Sequence, residues 1–114
     1  MNAVKLIIYP AADVAAATKF FGTLLGGEPY VDSPYYVGFK TGDMEIGLVP
    51  QAANPAQTAP LAYVDVDDIN AAIAALVSQG AKKVSDPKDV ANGLLVASIT
   101  DATGNPIGLR QFPK

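Results

Sequence analysis

The apolar positions of this chain switch between a two-residue and a 3.6-residue period, and the switches mark out its elements. Val4-Lys5-Leu6-Ile7-Ile8-Tyr9 is short, rich in β-branched residues and followed by Pro10, so it reads as a strand that ends where proline removes a backbone donor. The period then becomes helical. Asp13 is a candidate N-cap, Val14, Ala17, Phe20, Phe21, Leu24 and Leu25 recur at helical spacing, and Gly26-Gly27 supplies a left-handed stop. Three short strand candidates follow, residues 28–31, 35–40 and 44–49, the last two joined through the turn residues Thr41-Gly42-Asp43. The order is βαβββ.

Residues 50–60, PQAANPAQTAP, hold three prolines and no charge, which predicts an exposed, extended linker. Beyond it the order begins again. Residues 61–66 read as a strand, and Asp67 or Asp68 as an N-cap. Ile69, Ala72, Ile73, Leu76 and Val77 form an apolar helix face, and Gly80 is the stop. Val84 with its neighbours, residues 94–100 and residues 106–112 complete three further strands. A true repeat keeps nearly constant offsets: Asp13 and Asp67, Gly26 and Gly80, and Asp32 and Asp86 each lie 54 residues apart. Ile46-Gly47-Leu48 and Ile107-Gly108-Leu109 are 61 apart, which requires a longer loop in the second half, placed at residues 87–92. The predicted organisation is a single domain, 1–114, with module 1 at 1–49, a linker at 50–60 and module 2 at 61–114.

Composition narrows the chemistry. The 114 residues contain no cysteine and no histidine, which excludes disulfides, thiol nucleophiles, histidine metal clusters and imidazole-based triads. A net charge of -3 argues against nucleic acid, whose phosphates need a basic face. The apolar run at residues 6–8 is too short for a signal or a membrane span, so the expectation is a cytoplasmic protein without a membrane partner. Surface scaling gives a folded area of roughly 5,900 Å², with about 65% of the unfolded chain's surface buried, enough for a core without staples.

The two βαβββ halves, the helix stop at Leu24-Leu25-Gly26-Gly27 and the terminal stretch Asp101-Ala102-Thr103-Gly104-Asn105-Pro106-Ile107-Gly108-Leu109 together resemble the glyoxalase/bleomycin-resistance/extradiol-dioxygenase family, the vicinal oxygen chelate fold. The resemblance spans essentially the whole chain. It implies an α+β fold in which two βαβββ modules form curled mixed sheets around a cleft, and a homodimer. Members that use a metal take His, Gln or Glu ligands from the first and last strands of each half. Those positions fall here at Leu6, Gly47, Leu61 and Gly108, none of which can ligate through a side chain. The family's metal chemistry is therefore not carried over, and neither a metal nor another cofactor is expected.

Strand alternation fixes the faces once those four positions are placed toward the cleft. Leu6, Ile8, Glu45, Val49, Leu61, Tyr63, Asp65, Pro106 and Arg110 then line the cleft. Ile7, Tyr9, Met44, Ile46, Leu48, Val64, Val66, Ile107 and Leu109 lie under the helices. Tyr36 joins the cleft, because Val37 and Phe39 have the parity of the core. The candidate ligand-binding residues are thus Leu6, Tyr36, Glu45, Tyr63, Asp65 and Arg110. Arg110, the sole arginine, reads either as a fixed cation for an anionic or aromatic ligand or as a salt-bridge partner of Glu45 or Asp65. Asp65-Val66-Asp67-Asp68 reads as a helix cap with solvated carboxylates rather than a calcium loop. The glycines Gly42 and Gly104 read as turn residues, and Lys82-Lys83 as charges protecting a sheet edge.

Three functions fit this pattern. One is a metal-free protein that sequesters an apolar or aromatic small molecule in a dimer cleft, as antibiotic-sequestering resistance proteins of the family do. Another is a metal-independent lyase or isomerase using Glu45, Asp65 or Tyr63 as acid or base; no catalytic residue is assigned. The third is a non-catalytic interaction module, partnered with a metal-bearing relative. A ferredoxin-like fold is disfavoured, because about 40 residues separate the helices, too many for its two intervening strands.

Overall fold

The computed structural model describes all 114 residues. The chain divides into two compact units, residues 5–61 and residues 62–114, the latter together with residues 1–4. In the first unit the elements are β1 (Val4–Ala11), α1 (Val14–Leu25), β2 (Val31–Asp32), β3 (Val37–Thr41) and β4 (Met44–Pro50). Their strand order is β2-β3-β4-β1, with β1 parallel to β4 and the other pairs antiparallel. In the second unit β5 (Leu61–Asp65) is followed by α2 (Ile69–Val77), β6 (Lys82–Lys83), β7 (Lys88–Ala91), β8 (Leu94–Thr100) and β9 (Pro106–Gln111). Here the order is β5-β9-β8, with β6 and β7 both paired to β8, and β5 parallel to β9. Each unit is a mixed sheet with one helix, the predicted α+β arrangement.

The helices start where short carboxylates can cap them. The side chains of Asp13 and Asp68 each accept a hydrogen bond at 3.0 Å, from the N–H groups of Ala16 and Ala71. Asp68, not Asp67, is therefore the counterpart of Asp13. α2 has an additional tie, from the Ile69 N–H to the Gln111 side-chain oxygen at 2.8 Å. α1 stops at Gly26, whose φ of 74° is left-handed, as expected.

Only part of the apolar stripe predicted for α1 packs. Val14, Ala17 and Phe21, at i, i+3 and i+7, join Tyr9, Ile46, Val37, Phe39 and Leu48 in one core. Phe20 lies about a quarter-turn off that stripe and Leu24 at its edge in the last turn, and they are 62% and 64% exposed. The second core gathers Ile69, Ile73, Ala97, Ile99 and Leu109, with Val64, Val66, Ala72, Leu76 and Ile107 against it, while Val77 stays exposed. Except for Met44 and Ile7, the residues predicted to lie under the helices are in these two cores.

Three segments depart from the sequence reading. β1 runs through Pro10, which sits opposite Val49 in the parallel register. The stretch 50–60 is not a free extended linker. Gln51–Ala53 form a 3-10 turn, and the Gln57 side chain donates to the carbonyl of Ile8 at 3.1 Å, tying the segment to β1. The predicted loop at 87–92 contains β7, closed onto β8 by Asn92-Gly93, both at positive φ (49° and 93°), the geometry of a type I′ hairpin. The Asp89 carboxylate fixes that turn by accepting from the Gly93 N–H at 2.9 Å. The added length of the second half is thus a longer hairpin.

Candidate ligand-binding faces

In the first unit, the sheet face turned away from α1 carries Leu6 and Ile8 on β1, opposite Glu45 and Gly47 on β4. Gly38 and Lys40 on β3 are the antiparallel neighbours of the same two β4 residues. Tyr36 immediately precedes β3 and shares their parity. A Ser33 knot holds it in place. The Ser33 hydroxyl accepts from the Tyr36 N–H at 3.1 Å and donates to the Tyr36 carbonyl at 3.1 Å. The ring then lies across Gly47, where an added Cβ would come within 2.6 Å of the phenol oxygen. Its hydroxyl donates to Oε2 of Glu45, a side chain only 8% exposed.

In the second unit the parallel register places Tyr63 opposite Gly108 and Asp65 opposite Arg110. The Tyr63 ring covers Gly108 so closely that a Cβ there would lie 2.5 Å from Cδ2 and 2.6 Å from Cγ. Burial raises the Tyr63 phenol above its ordinary pKa by penalising the phenolate. Arg110 donates from Nε to Asp65 Oδ1 at 2.7 Å and from Nη2 to Oδ2 at 3.0 Å, a two-point pair. Its guanidinium carbon also stands 4.6 Å from the centre of the Phe112 ring.

Of the residues singled out from sequence, Leu6, Tyr36 and Glu45 come together in the first unit, and Tyr63, Asp65 and Arg110 in the second. Arg110, 7% exposed, is on the face that alternation assigned to it. Of the two salt-bridge partners considered, it takes Asp65. Three contributors escaped the sequence reading: Tyr30, Ser33 and Phe112. Phe112 was findable, because it follows Arg110 by two residues and so shares its parity. Tyr30 was not, since its strand candidate had no residue to anchor its faces.

The terminal stretch that carried the resemblance is a turn. Asp101 Oδ1 accepts from the N–H groups of Thr103 and Asn105, and Oδ2 from the Asn105 side chain, all at 2.9 Å. Hydrogen bonds from the Asn105 side chain and backbone and from Thr103 hold the Asp101 carboxyl well below its ordinary pKa.

The residues at the four metal-ligand positions do not fit a metal ion. Leu6 and Leu61 offer no lone pair, and the space above Gly47 and Gly108 is taken by tyrosine rings. Elsewhere, no three His, Cys, Asp or Glu side chains gather closely enough to hold one. No helix is long and apolar enough to cross a membrane.

No curated protein matches the sequence. Solved structures do match in fold. A Legionella pneumophila protein described as an NAD-dependent benzaldehyde dehydrogenase superposes with a TM-score of 0.78 at 14% identity, over 95% of this chain and 98% of that one. A Vibrio splendidus glyoxalase/bleomycin resistance protein/dioxygenase superfamily member gives 0.70 at 15% identity, over 98% and 100%. A variant of Streptomyces coelicolor methylmalonyl-CoA epimerase in complex with 2-nitronate-propionyl-CoA gives 0.73 at 15% identity, over 97% of each chain. At these identities the likeness establishes the fold. Since a model of the family matches residues 3–109, the chain belongs to the Glyoxalase/Bleomycin resistance protein/Dioxygenase superfamily.

Proposed function

We propose that this protein binds an apolar or aromatic small molecule without a metal, on the faces built by Leu6, Tyr36 and Glu45 and by Tyr63, Asp65 and Arg110. The observation that carries this reading is the tyrosine ring lying on each of two glycines where metal-using relatives have a ligand side chain. The Tyr36 ring, partly exposed on its flat glycine floor, offers an aromatic surface for stacking, while nearby polar groups orient a ligand. Sequestration of an aromatic antibiotic is the finer form of this function.

A homodimer goes with it. What supports it is the apolar surface left on the first helix, where Phe20 and Leu24 are 62% and 64% exposed and a second copy could cover them. Light scattering should give twice the 11.8 kDa chain mass at micromolar concentration; a strictly monomeric mass removes the dimer.

A second reading is favoured by one contact, the Tyr36 hydroxyl on the buried Glu45 carboxylate. A carboxylate oriented by a phenol can take or return a proton, so a metal-independent isomerase or lyase could use Glu45 as base with Tyr36 positioning it. The two readings separate in one experiment. Amide chemical-shift mapping with a panel of planar aromatics, alongside native mass spectrometry of freshly purified protein, should locate binding at Gly38, Gly47 and Gly108. Saturable binding without turnover supports the binder. Deuterium exchange into a bound carbon acid, abolished by Glu45→Gln, supports the enzyme. Shifts confined to the helix faces overturn both.

A further inference from the structure

Three side chains converge over one glycine in the first unit. A Cβ built at Gly38 would lie 2.9 Å from Glu45 Oε2, 2.9 Å from Cε1 of Tyr30 and 3.0 Å from Cε2 of Tyr36. A carboxylate beside two phenol rings is the combination that recognises a positively charged nitrogen: the carboxylate supplies charge, and the ring faces supply quadrupole attraction with little desolvation of a soft cation.

Two further observations point the same way. Glu45 is 8% exposed, yet it takes part in none of the chain's ion pairs, which are Lys5–Asp43, Lys83–Asp86 and Arg110–Asp65. The Tyr36 hydroxyl already donates to this carboxylate, but no cation pairs with it, and a carboxylate this buried gains when one reaches it. An ammonium of the chain itself already stands on one of these rings. Lys40 is the cross-strand neighbour of Glu45, and its Nζ stands 4.8 Å from the centre of the Tyr30 ring. Lys40 is exposed, and its flexible stem can swing away and yield the ring.

We propose that Tyr30, Tyr36 and Glu45 form a subsite for an organic cation, an amine or quaternary ammonium group carried by an aromatic ligand, with Lys40 as an internal competitor. The inference rests on the small-molecule-binding reading and names its ligand class. It is specific to the first unit, because Asp65 in the second is already neutralised by Arg110.

The test is a charge series on the intact chain. Benzyltrimethylammonium, benzyl alcohol and benzoate are each titrated into ¹⁵N-labelled protein, and affinities are read from the amide shifts of residues 30, 36–38 and 45. The cation should bind at least about tenfold more tightly than the alcohol, and benzoate most weakly. Glu45→Gln should abolish the preference, and Lys40→Met should strengthen the cation several-fold while leaving the alcohol unchanged. If Glu45→Gln fails to fold, the series on the unaltered protein and on Lys40→Met decides. Equal binding of cation and alcohol at these amides overturns the cation subsite and leaves the binding function standing. Shifts by none of the three probes on either helix-distal face overturn both. A cation effect seen only at Asp43 or Glu28 is surface attraction and also overturns the subsite.

Discussion

The two units share one arrangement of strands and helix but differ in the charges on corresponding faces. Gly47 and Gly108 occupy the same place in the last strand of each half, and a tyrosine ring covers each. Two residues further along, however, the first unit has Val49 opposite Pro10, where the second has Arg110 opposite Asp65. Two residues before the glycine, the first unit has the buried Glu45 and the second has Pro106. The tyrosines also come from different strands. Tyr63 is on the first strand of its half, in the place of Ile8, whereas Tyr36 approaches from the segment before β3, in the place of Val96. The comparison teaches that both halves keep the glycine floor, each covers it with a ring brought from a different strand, and the charges beside it differ. A closed ion pair resulted in one half and a buried carboxylate outside any ion pair in the other.

The strongest way to break this contrast is to open the closed pair. Arg110→Ala leaves Asp65 without its two-point partner. Because Asp65 keeps a side-chain exposure of 27%, the expected loss is about 2–3 kcal/mol, below that of a fully buried pair. Chemical denaturation measures it. A loss under about 0.5 kcal/mol would place the pair with ordinary surface bridges. That expectation replaces the idea of a free cation awaiting a ligand.

The glycine floors come next. Gly108→Ala drives a Cβ into the body of the buried Tyr63 ring, at 2.5 and 2.6 Å, and should cost about 1–3 kcal/mol. Gly47→Ala meets mainly the hydroxyl end of Tyr36, which can swing out, so its cost should be smaller and should fall on the Glu45 contact instead. Thermal melts of the two variants rank them, and equal losses would show that the rings are equally mobile.

Glu45→Gln tests the other side of the contrast. A glutamine carbonyl still accepts from the Tyr36 hydroxyl, so stability should change by about 1 kcal/mol or less, in contrast to Arg110→Ala. A larger loss would mean that Glu45 has a structural counter-ion.

Titration gives the smallest effects, with opposite signs. The Tyr63 phenol is raised, so the folded state favours its protonated form. That contribution is present below the ordinary phenol value near 10 and is lost as pH rises through the raised one. Tyr63→Phe should remove this alkaline component, and absorbance at the phenolate band should lose a late-titrating contribution in that variant. Asp101 is lowered, so its contribution is present above the ordinary carboxyl range and is lost as the solution is acidified through the depressed value. Asp101→Asn should flatten that acid limb, and carbon NMR of the carboxyl should show it titrating below the ordinary aspartate range.

Local rules written into the sequence determined most of the scaffold. Alternation and helical period gave the βαβββ order of the first half and, apart from the added β7, that of the second; Asp13 and Gly26 bounded the first helix, and parity placed Tyr36, Glu45 and Arg110 on the faces they occupy. Those are properties of near neighbours, for which backbone geometry leaves few choices. The turn that closes β7 has a local signature too, since Asn92-Gly93 is the pair that a tight hairpin favours. Tertiary structure decided everything that depended on distance between strands. Pairing of β5 with β9 brought Gln111 onto the first N–H of α2, whose cap is Asp68 rather than Asp67, and gave Arg110 to Asp65 rather than Glu45. Pairing of β3 with β4 set Glu45 beside Gly38, under the ring of Tyr30. Parity says which face a side chain occupies, but only pairing in space says which charge it meets, because Coulomb attraction and ring contact act across strands that are remote in sequence.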